Sequence, residues 1–229
     1  MQIATRESAR KSVDRAELCR DKFLRFFPEG FYDETYLDWE RNYKQATHEE
    51  WQQKLSRAEF NALLKKKDYA EIANRALRIE GRSNLLFSFE KMALRDAVKS
   101  TAGARAFAEG LYNFIYGPGS PQRKFDAWVH TVAALPKKQS RVLTWPVVTV
   151  FGFMARPDLH FFFKPTVTRT AAREYGYDLP YTSRPSWKTY SELLKFADIV
   201  RRDLRDMKPR DMIDIQSFLW VQGSAEYEE

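Results

Sequence analysis

The sequence contains one cysteine, three histidines and nine glycines among its 229 residues. The single Cys19 excludes an intramolecular disulfide and a cysteine-based zinc site, and three histidines are too few to predict a dedicated transition-metal site. The scarcity of glycine disfavours phosphate-cradling loops, and the chain has no Walker loop, Rossmann fingerprint, His-Glu-x-x-His motif or nucleophile elbow. We therefore expect neither a metal ion nor an organic cofactor.

Long apolar runs are missing as well. The most apolar stretch, residues 147–155, is far shorter than the ~20 residues of a membrane-spanning helix, so it is predicted to be a core segment. Residues 1–25 mix charged and apolar side chains, which is not the pattern of a secretory signal. Together with the single cysteine, these features predict a cytoplasmic protein with no membrane partner.

Basic and aromatic residues are abundant. The chain has 38 Lys and Arg against 31 Asp and Glu, a net charge of +7, and 17 Phe, 11 Tyr and 6 Trp. Such a composition can bury a substantial core in one globular unit. The positive charge favours a polyanionic partner such as DNA, because Lys and Arg release counterions from a phosphate backbone. A basic surface without a partner remains an open alternative.

Helix signals recur along the whole sequence. Thr47 with Glu50 and Asp68 with Glu71 have the spacing of capping boxes, and Ser186 is a predicted N-cap of a long helix. Apolar residues recur at helical spacing between these signals. The sequence predicts a mainly α protein of about nine or ten helices in one globular unit.

Two segments interrupt the helical pattern. Residues 117–121, Gly-Pro-Gly-Ser-Pro, are the strongest turn signal, with Ser120 as N-cap and Pro121 at the first helical position. They are a candidate boundary between two helical lobes with a DNA-binding cleft between them. Residues 160–163 are predicted to be extended, because they precede Lys164-Pro165.

The segment from residue 125 to residue 175 has a distinctive order of elements. An amphipathic helix ends in Leu135-Pro136, and a basic turn, an apolar helix, Arg156-Pro157-Asp158, an extended segment and a new helix follow. This order resembles the helix-hairpin-helix DNA glycosylase superfamily, in which a Leu-Pro turn grips the DNA backbone. The resemblance implies duplex DNA as partner, flipping of a base and cleavage of its glycosidic bond.

The chain departs from that family at two places. Lys137-Lys138-Gln139-Ser140 replaces the glycine-rich hairpin, so the side chains of Lys137, Lys138 and Arg141 would take over the phosphate contacts. Lys164 stands where the family's catalytic aspartate is expected. Arg169 and Arg173, in the following helix, are further candidate phosphate contacts.

Removal of a base requires an apolar pocket and a carboxylate that stabilises positive charge or activates water. Asp214 is the favoured acid, because it lies within the apolar segment 212–220. Gln216 and Trp220 would read and stack the base, and Phe163 and Trp145 are further candidates for its pocket. The alternative for Asp214 is a structural ion pair with a neighbouring arginine.

Lys164 is the second catalytic candidate. It follows three phenylalanines and precedes Pro165 at a helix N-terminus, where burial and the helix dipole disfavour its charge. A neutral amine could attack a sugar carbon. Alternatively, Lys164 reaches solvent or pairs with Asp158 or Asp214.

Residues 85–98 and 156–223 also resemble segments of uncharacterised bacterial proteins found near anti-phage or restriction functions, which fits excision of a modified base from foreign DNA. The leading hypothesis is therefore a DNA glycosylase-like enzyme without cofactor. A non-catalytic DNA-binding module and a protein-interaction subunit of a defence complex are the alternatives. The sequence does not fix the oligomeric state, and a monomer is the simplest expectation.

Overall fold

Eleven helices, connected by turns and short 3-10 segments, make up the part of the chain that the computed structural model describes, residues 15–138 and 141–228. They are α1 (15–26), α2 (34–54), α3 (Arg57–Lys65), α4 (Tyr69–Gly81), α5 (Ser88–Ala97), α6 (Thr101–Tyr116), α7 (Pro121–Ala134), α8 (Trp145–Ala155), α9 (Pro165–Tyr175), α10 (Trp187–Asp203) and α11 (Met212–Gly223). These residues include no β-strand. The predicted mainly α class and single globular unit are confirmed.

Most of the predicted helix boundaries are found where the local signals place them. The side chains of Ser120 and Ser186 accept hydrogen bonds from the third backbone N–H of α7 and α10, and Asp68 does so for α4. Gly176 ends α9 in the left-handed conformation, with φ of 81°. Buried side chains on both sides of the 117–121 turn belong to one continuous hydrophobic core.

The predicted capping box at Thr47 is wrong, because Thr47 lies inside α2. Its hydroxyl donates to the carbonyl of Lys44, and Glu50 instead pairs with Lys54 and Arg82. α2 is continuous from Glu34 but contains a π-helical turn, Leu37–Arg41. Such turns place side chains in positions that a regular helix does not reach.

Residues 160–163, which the sequence predicts to be extended, lie outside the helices and pair with no strand. The hydroxyl of Tyr190 accepts a hydrogen bond from the backbone N–H of Phe161, and the hydroxyl of Thr149 accepts one from Phe163. Side chains of α8 and α10 therefore satisfy this buried backbone. Lys164 follows this segment directly and lies at the N-terminus of α9.

Helices α9 and α11 pack closely along one another and position the candidate site. A Cβ atom on Gly223 would lie 2.1 Å from the carbonyl oxygen of Val167, so only glycine permits this approach. The packing holds Trp220, one turn before Gly223, near the N-terminus of α9.

Candidate functional site

Asp214 lies in the first turn of α11 and has no exposed surface. Its Oδ1 accepts hydrogen bonds from the Tyr36 hydroxyl at 2.6 Å and from the Arg41 guanidinium at 2.8 Å. Its Oδ2 accepts from the backbone N–H and the side chain of Arg210, at 2.8 and 2.9 Å. Arg41 also forms a 2.9 Å ion pair with Asp211, the N-cap of α11. Asp214 is thus part of a buried ion-pair network.

This arrangement favours the structural alternative for Asp214. Both carboxylate oxygens already accept hydrogen bonds from charged or polar groups, and no atom of the side chain is open to a ligand. A catalytic group must lie within hydrogen-bond reach of the substrate, directly or through one water. Asp214 as catalytic acid therefore remains an untested prediction that the geometry does not support.

A second buried ion pair extends the network along α2. The Lys44 amine donates to Glu40 at 3.0 Å and to the Ser217 hydroxyl at 2.7 Å, and Tyr227 donates to the other oxygen of Glu40 at 2.7 Å. Burial lowers the pKa of Lys44. Sequence reasoning missed this pair, although Glu40 and Lys44 have the i, i+4 spacing of a helical ion pair.

Lys164 lies at a different place, at the N-cap of α9. Its amine is 4.1 Å from the centroid of the Phe87 ring and 5.3 Å from that of Trp220, and it donates to the carbonyl of Leu85 at 3.4 Å. Burial lowers the pKa of Lys164, whereas the negative charges of Glu90 and Glu226 partly oppose this shift. The amine is thus half-buried between two aromatic rings.

Glu90 connects this amine to the basic turn. One carboxylate oxygen accepts from the backbone N–H of Phe87 at 3.1 Å, and the other accepts from the Thr144 hydroxyl at 2.7 Å. Thr144 is the N-cap of α8, three residues after Arg141. The basic turn and the Lys164 site are therefore joined through one buried carboxylate, which sequence reasoning did not identify.

The predicted phosphate contacts are all exposed. Lys137, Lys138 and Arg141 lie in the connection between α7 and α8. The guanidinium of Arg169 lies 4.4 Å from the centroid of the Tyr181 ring, and Arg173 lines a cleft of about 920 Å³ beside α1. These groups are accessible to a polyanion, but they spread over more than one surface. Residues 139 and 140 of the basic turn lie outside the described residues.

The four predicted pocket residues fall into two groups. Trp145 and Phe163 are buried against each other, with ring centroids 4.8 Å apart, and no ligand reaches them in this arrangement. Trp220 is half-buried beside Lys164 and donates to Glu226 at 3.0 Å. Gln216, one turn earlier on α11, has a buried side-chain oxygen without a hydrogen-bond partner. The structure thus brings together Lys164 and Trp220.

Two aromatic side chains beside this site are exposed. Phe87 and Phe89 are 50% and 52% accessible, and their rings stack with centroids 5.5 Å apart and an angle of 15° between the planes. The buried face of α5 is formed by Ala93, Leu94 and Ala97, and Phe89 and Met92 lie outside it although their spacing is helical. The N-cap and the first turn of α5 thereby leave these two rings exposed to solvent.

The described residues contain no cluster of three or more His, Cys, Asp or Glu side chains able to hold a metal ion. No helix in this part of the chain is long and apolar enough to cross a membrane. Comparison of the sequence and the fold with protein families, characterised proteins and solved structures finds no match. The function is therefore inferred from the chain's own residues.

Proposed function

We propose that this protein binds DNA and removes a base, with the amine of Lys164 as the nucleophile. The observation that carries the proposal is the environment of Lys164, which is half-buried between Phe87 and Trp220 at a helix N-terminus and has a lowered pKa. Lysines in such surroundings are neutral more often than surface lysines and can attack carbon electrophiles. The exposed basic turn, which Thr144 and Glu90 connect to the Phe87 segment, supplies phosphate contacts.

The proposed reaction needs only the Lys164 amine, the DNA, water and a group that transfers protons. The neutral amine attacks C1′ of the sugar, the C1′–N bond breaks, and its electron pair leaves with the base, which takes up a proton. The amine nitrogen then loses a proton, and the C1′–O4′ bond opens to give a Schiff base as O4′ is protonated. Water hydrolyses the Schiff base, which regenerates Lys164 and leaves an abasic sugar.

Glu226 is the carboxylate best placed to accept and return these protons. It is exposed, it is fixed by the indole N–H of Trp220, and its charge acts on Lys164. Glu90 is buried and holds Phe87 and Thr144. The catalytic acid that the sequence assigned to Asp214 is thus reassigned to Glu226 in this proposal.

An oligonucleotide with one preformed abasic site tests the nucleophile without knowledge of the base that is removed. Incubation with borohydride should reduce the Schiff base to a stable covalent complex that is visible by denaturing electrophoresis. We expect Lys164→Met to lose the complex and Lys188→Met, which removes an exposed lysine of α10, to retain it. An unchanged yield with Lys164→Met would exclude Lys164 as the nucleophile.

The pH dependence of trapping provides a second prediction. Only the neutral amine attacks, and burial lowers the pKa of Lys164, so the rate should rise with pH and level off below the ordinary lysine pKa of 10.5. A rate that keeps rising through pH 10.5 would indicate an ordinary surface lysine. The initial rate of trapping is measured in a series of buffers of increasing pH. Circular dichroism verifies that the protein remains folded at each pH.

Base release is tested with phage DNAs that carry different base modifications, with unmodified DNA as control. Mass spectrometry of the freed bases would identify the substrate base and show whether a modified base of foreign DNA is preferred. Binding without any released base or covalent complex would favour the non-catalytic DNA-binding module instead.

A further inference from the structure

We propose that the stacked Phe87 and Phe89 rings are a platform for an unpaired nucleobase, so that the substrate is single-stranded or locally unpaired DNA. This inference rests on the proposed DNA ligand but not on base removal. A pair of exposed, stacked phenylalanines is unusual, because large apolar side chains normally pack into the core. Each ring here is about half accessible.

The geometry of the pair suits a planar ligand. The rings are nearly parallel, at 15°, and the backbone N–H of Phe87 is fixed by Glu90 at 3.1 Å. Proteins that bind single strands use such aromatic faces, because every base can stack on them regardless of sequence. A base on the free face of Phe89 would continue the existing stack.

The surrounding charge favours a nucleic acid over an apolar peptide. The Lys164 amine lies 4.1 Å from the Phe87 ring, on the side toward Trp220. Glu90 ties the same segment to Thr144 and hence to the basic turn with Lys137, Lys138 and Arg141. Proteins that bind a single strand combine aromatic faces, on which the bases stack, with cations that contact the phosphates.

The platform also fits the position of the nucleophile. Trp220, Lys164, Phe87 and Phe89 follow one another across the surface, each in contact with the next. A nucleotide whose sugar lies at Lys164 would therefore have a neighbouring base within reach of the Phe87 and Phe89 rings. In this arrangement the nucleotide at Lys164 and its neighbour on the rings must both be unpaired, because paired bases remain stacked inside a duplex. An unpaired strand is therefore the predicted substrate.

The test compares the affinity of the full chain for a labelled single strand and for the matching duplex, measured by fluorescence anisotropy. Phe89→Ala should weaken single-strand binding by about 5- to 100-fold, the usual effect of losing one base-aromatic stack. Phe89→Trp should restore it, and Met92→Ala should leave it nearly unchanged. Met92 is the matched control, because it is exposed on the same helix but is not aromatic.

A strand containing 2-aminopurine gives a separate readout, because transfer of this base from its neighbours onto the rings should change its fluorescence in the wild type and not in Phe89→Ala. The same single-strand affinity and the same fluorescence change in Phe89→Ala as in the wild type would overturn the platform while leaving DNA binding intact. Self-association lost in Phe89→Ala, with unchanged DNA affinity, would overturn it in favour of a contact between copies of the chain. Failure of the wild type to bind any DNA would instead refute the proposed function itself.

Discussion

Asp214→Asn should lower the free energy of unfolding by about 3 to 5 kcal/mol, the usual cost of removing one partner from a buried ion pair. The substitution leaves Arg41 and Arg210 facing a neutral amide, and the N–H₂ that replaces one carboxylate oxygen cannot accept the hydrogen bonds which that oxygen now receives. Urea denaturation followed by circular dichroism at low temperature measures the change.

Asp206→Asn is the matched control. Asp206 also pairs with an arginine, Arg20, but its side chain is 54% exposed. An exposed pair contributes at most about 1 kcal/mol, so this variant should remain close to the wild type. Equal losses in the two variants would contradict the structural role of the Asp214 network.

Asp214→Asn also distinguishes a structural role of Asp214 from a catalytic one. If Asp214 is structural, the folded fraction of Asp214→Asn should still form the borohydride-trapped complex through Lys164. A variant with wild-type stability and no base release would instead restore Asp214 as the catalytic acid and refute the assignment of Glu226.

Helix boundaries were predictable from the sequence where the signal is local. Ser120, Ser186 and Asp68 cap helices because their side chains reach backbone N–H groups only a few residues away. Thr47 carries the same signal but lies inside α2, where no glycine or proline interrupts the chain and Trp51 is buried. A capping residue permits a helix to begin but does not force the preceding helix to end.

The candidate site was predictable only in part. The apolar residues before Lys164 and the proline after it indicated a desolvated amine at a helix N-terminus, and the half-buried Lys164 is the N-cap of α9. Its neighbours Phe87, Glu90 and Trp220 come from distant segments, and no local pattern places them there. The exposed position of Phe89 likewise depends on which face of α5 the rest of the protein covers.

The burial of Asp214 was predictable from its apolar neighbours in the sequence. Whether Asp214 is structural or catalytic depends instead on its hydrogen-bond and ion-pair partners. Arg41 and Tyr36 reach it from α2, and Arg210 lies just before α11. The π-helical turn Leu37–Arg41 contributes one of these arginines. Such a turn has no simple sequence signature, so the distinction between a catalytic and a paired carboxylate required the three-dimensional structure.

His160 should make the protein less stable as the pH falls from 7 to 5. Burial, with smaller contributions from Lys124 and Arg156, lowers its pKa from 6.5 to about 3. The unfolded chain takes up a proton below pH 6.5, whereas the folded chain stays neutral there, so stability is lost as the pH falls toward 3. At 1.36 kcal/mol per pH unit, the free energy of unfolding should drop by about 2 kcal/mol by pH 5.

His160→Phe tests this origin, because phenylalanine keeps a ring against Phe114, now 4.7 Å away between centroids, and cannot take up a proton. Tyr190 loses only a 3.4 Å contact with the imidazole and keeps its hydrogen bonds to the backbone of Phe161. Urea denaturation at pH 7 and pH 5 should therefore show about 2 kcal/mol less pH dependence in His160→Phe than in the wild type. The same pH dependence in both proteins would mean that His160 is protonated in the folded state, and that its surroundings admit water that the packing around Phe114 excludes.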